Sequence, residues 1–149
     1  MIKLASGFAL LASIASLVGT PTANAGTPVR DNNFEYTVVD AVNIGPRLQT
    51  PDAWRDAYGM FEVVTVKITN IGGKRNTYFG SMELVDDQGR VAHEDSAASI
   101  KLPTPDTTFR AMDVGESTTI RAVFDIPTDA HPSHVVMQDL LSDEVHVPL

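Results

Sequence analysis

The chain has 149 residues, with 11 Lys and Arg against 19 Asp and Glu, no Cys and 43% hydrophobic residues. That length and composition suit one globular domain, and a net charge of -8 excludes a protein that tracks nucleic-acid phosphates, which needs clustered Lys and Arg. Without Cys there is no disulfide, no thiolate metal site, no Cys nucleophile and no lipid-modified cysteine.

Lys3 is the one charged residue in the first 25, and Leu4 to Val18 is apolar or small throughout. At about 1.5 Å per residue this run is too short to span roughly 30 Å of hydrocarbon, but it suits the apolar core of a signal peptide. Gly19 and Pro21 interrupt the helix, and Ala23-Asn24-Ala25 is the small-x-small pattern that a signal peptidase accepts. The sequence therefore predicts a cleaved signal peptide at residues 1–25 and one exported domain at 26–149, periplasmic or extracellular, with no membrane anchor after the cut. Cleavage removes 25 residues and one positive charge, leaving 124 residues at a net charge of -9. A small exported domain without Cys leans toward a bacterial envelope, because eukaryotic cell-surface domains of this size are usually disulfide-rich.

Period-two alternation dominates the remainder, and no segment of helical length carries a 3.6-residue apolar stripe. The first predicted strand runs from Asn33 to Asn43, with Phe34, Tyr36 and Val38 on one face and a bulge or end at Asp40. Gly45 to Gly59 reads as a long connection. The second strand, Met60 to Ile71, sets Val64, Val66 and Ile68 against Thr65, Lys67 and Thr69, with Phe61 and Val63 on the opposite face, and the glycines of Asn70 to Lys74 make a turn. A third strand through Tyr78, Met82 and Leu84 leads by Asp86-Asp87-Gln88-Gly89 into a hairpin with Arg90 to His93. Residues 94–107 are turn-rich, with a short edge strand at Ser99 to Leu102 before Pro103 and Pro105. After a short stretch at Thr108 to Met112, Thr118 to Ile126 is the clearest strand, and strands at Ser133 to Asp139 and Glu144 to Leu149 finish the chain. Seven or eight short strands in this length predict an all-β fold, an antiparallel two-sheet immunoglobulin-like sandwich.

Five pieces recur in a characteristic order: Asn33-Phe34-Glu35-Tyr36-Thr37-Val38, the run Phe61 to Gly72, Glu83-Leu84-Val85-Asp86-Asp87-Gln88-Gly89, Val114-Gly115-Glu116-Ser117, and Val123-Phe124-Asp125-Ile126-Pro127. In this order they resemble a bacterial family of exported telokin-like proteins, known mostly as a domain of unknown function and related to a secreted mycobacterial immunoprotective antigen. The resemblance covers nearly all of residues 26–149 and implies an immunoglobulin-like sandwich. It brings no catalytic residue with it, and fold alone does not assign function. Many family members carry a Cys at the cleavage point where this chain has Gly26, so a lipid tether is not implied. The family's usual Pro-Gly-Glu turn stands here as Val114-Gly115-Glu116.

Candidate chemistry is sparse. His131, His134 and Met137 offer imidazole and thioether ligands, the set that suits copper, which makes a metal or small-ligand carrier the alternative reading. Pro132 favours extended backbone that separates the two imidazoles, and exposed histidines with a core methionine explain the same residues. The acidic pairs Asp86 with Asp87, Glu94 with Asp95 and Asp125 with Asp129 lack a spaced calcium loop. No Gly-x-Ser-x-Gly elbow supports a hydrolase, so no enzyme and no cofactor is predicted. The Gly45 to Gly59 segment holds the sole Trp with Arg47, Arg55 and Tyr58. These residue types are enriched at interface hot spots, so Arg47, Trp54, Arg55 and Tyr58 are the predicted binding residues, toward an unidentified protein or envelope component. The structural alternative is that Trp54 plugs the open end of the sandwich from a helical turn at Pro51 to Ala57.

Overall fold

The computed structural model describes residues 18–102, 110–140 and 142–149. The apolar run of the predicted leader lies almost wholly outside these residues, as do Pro103 and Pro105. The described elements are β1 (Thr20–Asn24), β2 (Val29–Arg30), β3 (Phe34–Thr50), β4 (Ala53–Asn70), β5 (Asn76–Thr77), β6 (Gly80–Asp86), β7 (Val91–His93), the single helical turn α1 (Ser96–Ser99), β8 (Ala111–Met112), β9 (Ser117–Ile126), β10 (Pro132–Asp139) and β11 (Val145–Pro148). One sheet has the order β1-β3-β4-β9, with β2 also on β3, and the other has β11-β10-β6-β7. A small β5-β8 ribbon stands apart, and every strand pair is antiparallel.

The predicted alternation becomes the packing. Tyr36, Val38, Val64, Val66, Ile68, Ala122 and Phe124 from the first sheet meet Leu84, Val135, Met137 and Val147 from the second in one buried cluster. These β-branched and aromatic residues fit a pleated surface with one face covered. At one corner Tyr78 packs edge-on against Phe34, ring centroids 5.7 Å apart, and Tyr36 Oη donates to Asp31 Oδ2 at 2.8 Å. The other Asp31 oxygen accepts from the Asn33 and Phe34 amides at 2.7 Å, so one carboxylate closes the turn into β3 and satisfies the phenol beneath it. Burial first, then Asp31, push the Tyr36 phenol far above its ordinary range, which keeps it a donor.

Phe61, Val63 and Val123 point to the opposite face of the first sheet, where Leu48, Ala98 and Leu102 close a second, smaller core. This corrects the edge strand predicted at Ser99 to Leu102. Asp95 instead caps a helical turn, its Oδ1 accepting from the Ala98 amide at 3.0 Å, and Ala98 seats on the sheet with no exposed surface. The Val114-Gly115-Glu116 turn closes without the family's proline: the Glu116 amide donates to Asp113 O at 2.9 Å, with Gly115 at φ +84°.

The larger difference lies at residues 45–59. The predicted loop is a continuation of β3 and β4 into one long hairpin with its tip at Pro51 and Asp52. Gly45, at φ +81°, makes the bend that L side chains resist, and its amide donates to Asn43 Oδ1 at 3.0 Å. Register then jumps from Gly45 opposite Phe61 to Arg47 opposite Asp56, so Pro46 falls in the irregularity and withholds no ladder hydrogen bond.

Candidate functional site

Beyond the jump the ladder resumes, with Arg47, Leu48, Gln49 and Thr50 opposite Asp56, Arg55, Trp54 and Ala53. The hairpin has two unlike faces. Leu48 is 4% exposed and belongs to the second core, with Ala57 packed against it. Arg55 stands on this inner side, and its Nε donates to Asp95 Oδ2 at 2.8 Å. The N-cap of α1 is therefore also the brace of the hairpin. At the root, Asp125 accepts from the Tyr58 amide at 2.7 Å and the Gly59 amide at 3.0 Å. Gly59 is required there, because a Cβ would lie 2.1 Å from Ile126 O.

The outer face carries Arg47, Trp54 and Asp56. Arg47 grips Asp56 with two bonds, Nε to Oδ1 at 2.5 Å and a terminal nitrogen to Oδ2 at 3.0 Å, while its guanidinium carbon lies 4.8 Å from the Trp54 ring centroid. The hydrogen bond from Arg47 holds the Asp56 carboxyl below its ordinary value, and Asp56 raises Arg47 in return. Trp54 is 62% exposed, which rules out the core plug and the helical turn. Exposure alternates along β4 through Trp54, Asp56 and Tyr58, and Tyr58 is fully exposed at the register jump. At about 3.3 Å per residue the two aromatics stand roughly 13 Å apart, with the Arg47–Asp56 pair between them. Of the four predicted binding residues, Arg47, Trp54 and Tyr58 share the open side, and Arg55 faces α1.

The predicted metal set is not brought together. Met137 is buried in the main core, while His134, three residues earlier on the same strand, faces out of the sheet, and His131 is exposed ahead of it. Among the described residues no three His, Asp or Glu side chains form a metal-binding group. The structure instead places His134 against His146, a neighbour the local sequence pattern around His131 does not reveal. Burial, then His146, lower the His134 imidazole below its ordinary value.

Each acidic pair has at least one member tied to a structural partner. Asp86 accepts from the Gln88 amide at 3.0 Å, the Arg90 amide at 2.8 Å and Arg90 Nε at 2.6 Å. Burial works to raise its carboxyl, and these bonds outweigh it and hold it below the ordinary value. Asp129 pairs with Arg90 at 3.1 Å, Asp95 with Arg55, and Asp125 with backbone amides. Among the described residues no helix is long and apolar enough to cross a membrane.

Solved structures share the fold. A conserved hypothetical protein from Bacillus anthracis is 16% identical, with a TM-score of 0.61, over 82% of this chain and 94% of its own. The yjhA protein from Bacillus subtilis is 15% identical, TM-score 0.60, over 85% and 98%. The secreted protein MPT63 from Mycobacterium tuberculosis is 16% identical, TM-score 0.59, over 85% and 95%. At these identities the likeness is one of fold, and no curated protein matches the chain. Residues 23–146 match a family profile across most of the sequence. The chain is an immunoglobulin-like β-sandwich belonging to the family described as domain of unknown function DUF4352.

Proposed function

We propose that this chain is an exported, non-enzymatic interaction module that presents the outer face of its long β3–β4 hairpin to a protein or another component of the cell envelope. The observation that carries this reading is an exposed Trp54 stacked beneath Arg47 on a hairpin held from behind by Leu48, Arg55 and Asp125. Trp, Tyr and Arg dominate interface hot spots because they bring large contact area with a polar handle. Bracing matters equally, since a surface already ordered before binding loses less freedom when a partner arrives. Export is supported by the leader pattern at residues 1–25 and by the secreted nature of MPT63, a structural neighbour.

Co-sedimentation of the purified protein with isolated cell envelopes tests the reading, with the Trp54→Ala/Tyr58→Ala double variant beside it. The wild type is expected in the pellet, with the double variant weakened about 30-fold, the loss that one hot-spot side chain confers. Thermal melting confirms that the variant is folded. Equal partitioning of wild type and folded variant would remove the hairpin from the binding surface.

A further inference from the structure

His134 on β10 and His146 on β11 are diagonal cross-strand neighbours on the outward side of the second sheet, because His134 lies opposite Pro148 and His146 opposite Val136. Long side chains at such positions reach each other. Here His146 Nδ1 lies 3.1 Å from His134 Nε2, with ring centroids 5.1 Å apart. Each ring has a second partner at its far nitrogen: Ser133 Oγ is 3.3 Å from His134 Nδ1, and Glu144 Oε1 is 3.4 Å from His146 Nε2.

We propose that His134 and His146 form a two-imidazole site for a borderline divalent cation, Cu²⁺ foremost, held between His134 Nε2 and His146 Nδ1, with Ser133 and Glu144 orienting the rings. Two nitrogens bound about 2.0–2.1 Å from one ion, at an angle between roughly 90° and 109°, lie about 2.8–3.4 Å apart. The observed separation falls inside that range. Proton bookkeeping accommodates a cation as well as the bare pair. In the neutral pair one N–H sits between the rings, with Ser133 Oγ–H donating to the unprotonated His134 Nδ1 and His146 Nε2–H donating to Glu144. A cation in that place frees both inner lone pairs, so both outer nitrogens carry N–H, one donating to Ser133 Oγ and the other to the Glu144 carboxylate. A ligating imidazole whose other nitrogen donates to a carboxylate or hydroxyl is the usual second-sphere arrangement of a histidine metal site.

Imidazole donors suit Zn²⁺, Ni²⁺ and Cu²⁺, and affinity along the first-row divalent series peaks at Cu²⁺. The chain's net charge of -8 favours any cation. His146 is exposed, so water completes the coordination. The site differs from the sequence-predicted set, sharing only His134 with it, and is independent of the hairpin.

Titration of the purified protein with CuCl₂, read by electron paramagnetic resonance with resolution of the coordinated nitrogens, decides the matter. One Cu²⁺ per chain with two imidazole nitrogens is expected. His134→Ala and His146→Ala should each weaken binding at least about tenfold, and Glu144→Gln up to about tenfold with the two-nitrogen signature kept. His131→Ala and His93→Ala should leave affinity unchanged, the latter because His93 pairs with Glu83 elsewhere on the sheet at 2.9 Å. All five are surface changes, and thermal melting verifies their fold. A one-nitrogen spectrum, binding that survives the His134→Ala/His146→Ala double variant, binding lost in His93→Ala, or no binding would each overturn the proposal.

Discussion

Trp54 has traded core burial for a guanidinium. Its ring is 62% exposed and covered on one side by Arg47, which Asp56 holds in place through two hydrogen bonds. Cation–π stacking of this kind is worth about 0.5–1 kcal/mol at an exposed site, too little to explain why a tryptophan is spent there for stability alone. Because Trp54 is the sole Trp, the arrangement has a direct optical test. Emission should be red-shifted and readily quenched by acrylamide, and Arg47→Ala should steepen the quenching by uncovering the second face while lowering Tm by no more than about a few degrees. A blue-shifted, protected emission would mean that the ring is sheltered in solution. That Arg47, Trp54 and Tyr58 are candidates was legible from residue type, because Trp, Tyr and Arg are the types enriched at interface hot spots. Their conformation was not. Gly45, Pro46, Pro51 and Gly59 punctuate the segment like a loop, whereas the positive φ at Gly45, the register jump around Pro46 and the close approach of Gly59 to Ile126 are what let two strands continue through it.

Among the elements, the hairpin and α1 stabilise one another. Leu48 supplies the apolar contact, Arg55 and Asp95 the polar one, and Asp95 also caps the helical turn. A half-buried, solvent-reachable ion pair contributes about 1 kcal/mol, so the buried leucine carries most of the attachment. Leu48→Ala should therefore destabilise by about 2–4 kcal/mol, seen as a lower urea midpoint. It should also speed hydrogen exchange at hairpin amides before the main core opens. Tyr58→Ala, at a fully exposed position, should change stability by no more than about 0.5 kcal/mol. Equal losses in the two variants would show that the hairpin is not anchored through Leu48. The strands of the sandwich were legible because parity sorts their side chains between faces: β9 sends Ile120, Ala122, Phe124 and Ile126 into the main core and Val123 to the other side, and the placement of Phe61 and Val63 away from the main core was read from parity alone. What covers them was not legible. A four-residue helical turn has no periodicity to detect, and the Asp95-Ser96-Ala97-Ala98 capping pattern is too short to outweigh the strand-like composition that follows. The His134–His146 meeting depends on the register between β10 and β11, which no local pattern encodes.

At the scale of the whole molecule, burial and charge disagree at the seam between β1 and its sheet. β1 lies beside Asp40 to Asn43, and the Thr22 hydroxyl donates to Glu62 Oε1. Glu62 is fully buried there, and neither Glu62 Oε2 nor Asp40 Oδ1 has a hydrogen-bond partner among the described residues. Burial raises the Glu62 carboxyl above its ordinary value, the bonds from Thr22 and Asn43 oppose the rise, and the Asp40 charge adds to it. Buried carboxylate oxygens without partners are costly, and the strand beside these two is the part of the chain that the Ala23-Asn24-Ala25 pattern assigns to the leader. Little else depends on it: Ala23 is the β1 residue packed against the main core, and the Gly26 nitrogen, which donates to Val38 O at 2.9 Å as an amide, can go on donating as the new N-terminal ammonium after the cut. We therefore expect intact mass of the exported protein to start at Gly26, and the two forms to differ in their response to pH. A carboxyl whose folded pKa is raised is neutral in both folded and unfolded chains below its unfolded value, about 4.3. Stability then falls as pH rises through the folded value, where the folded chain must bear the buried charge. A chain starting at Val18 should gain about 1 kcal/mol from Glu62→Gln at neutral pH and almost nothing below pH 4, whereas a chain starting at Gly26 should gain little at either pH. Urea unfolding of both chains, each with and without the substitution, reads the difference. If the substitution stabilises both chains alike, other strands bury Glu62, and its unpaired oxygen belongs to the working domain and not to the leader.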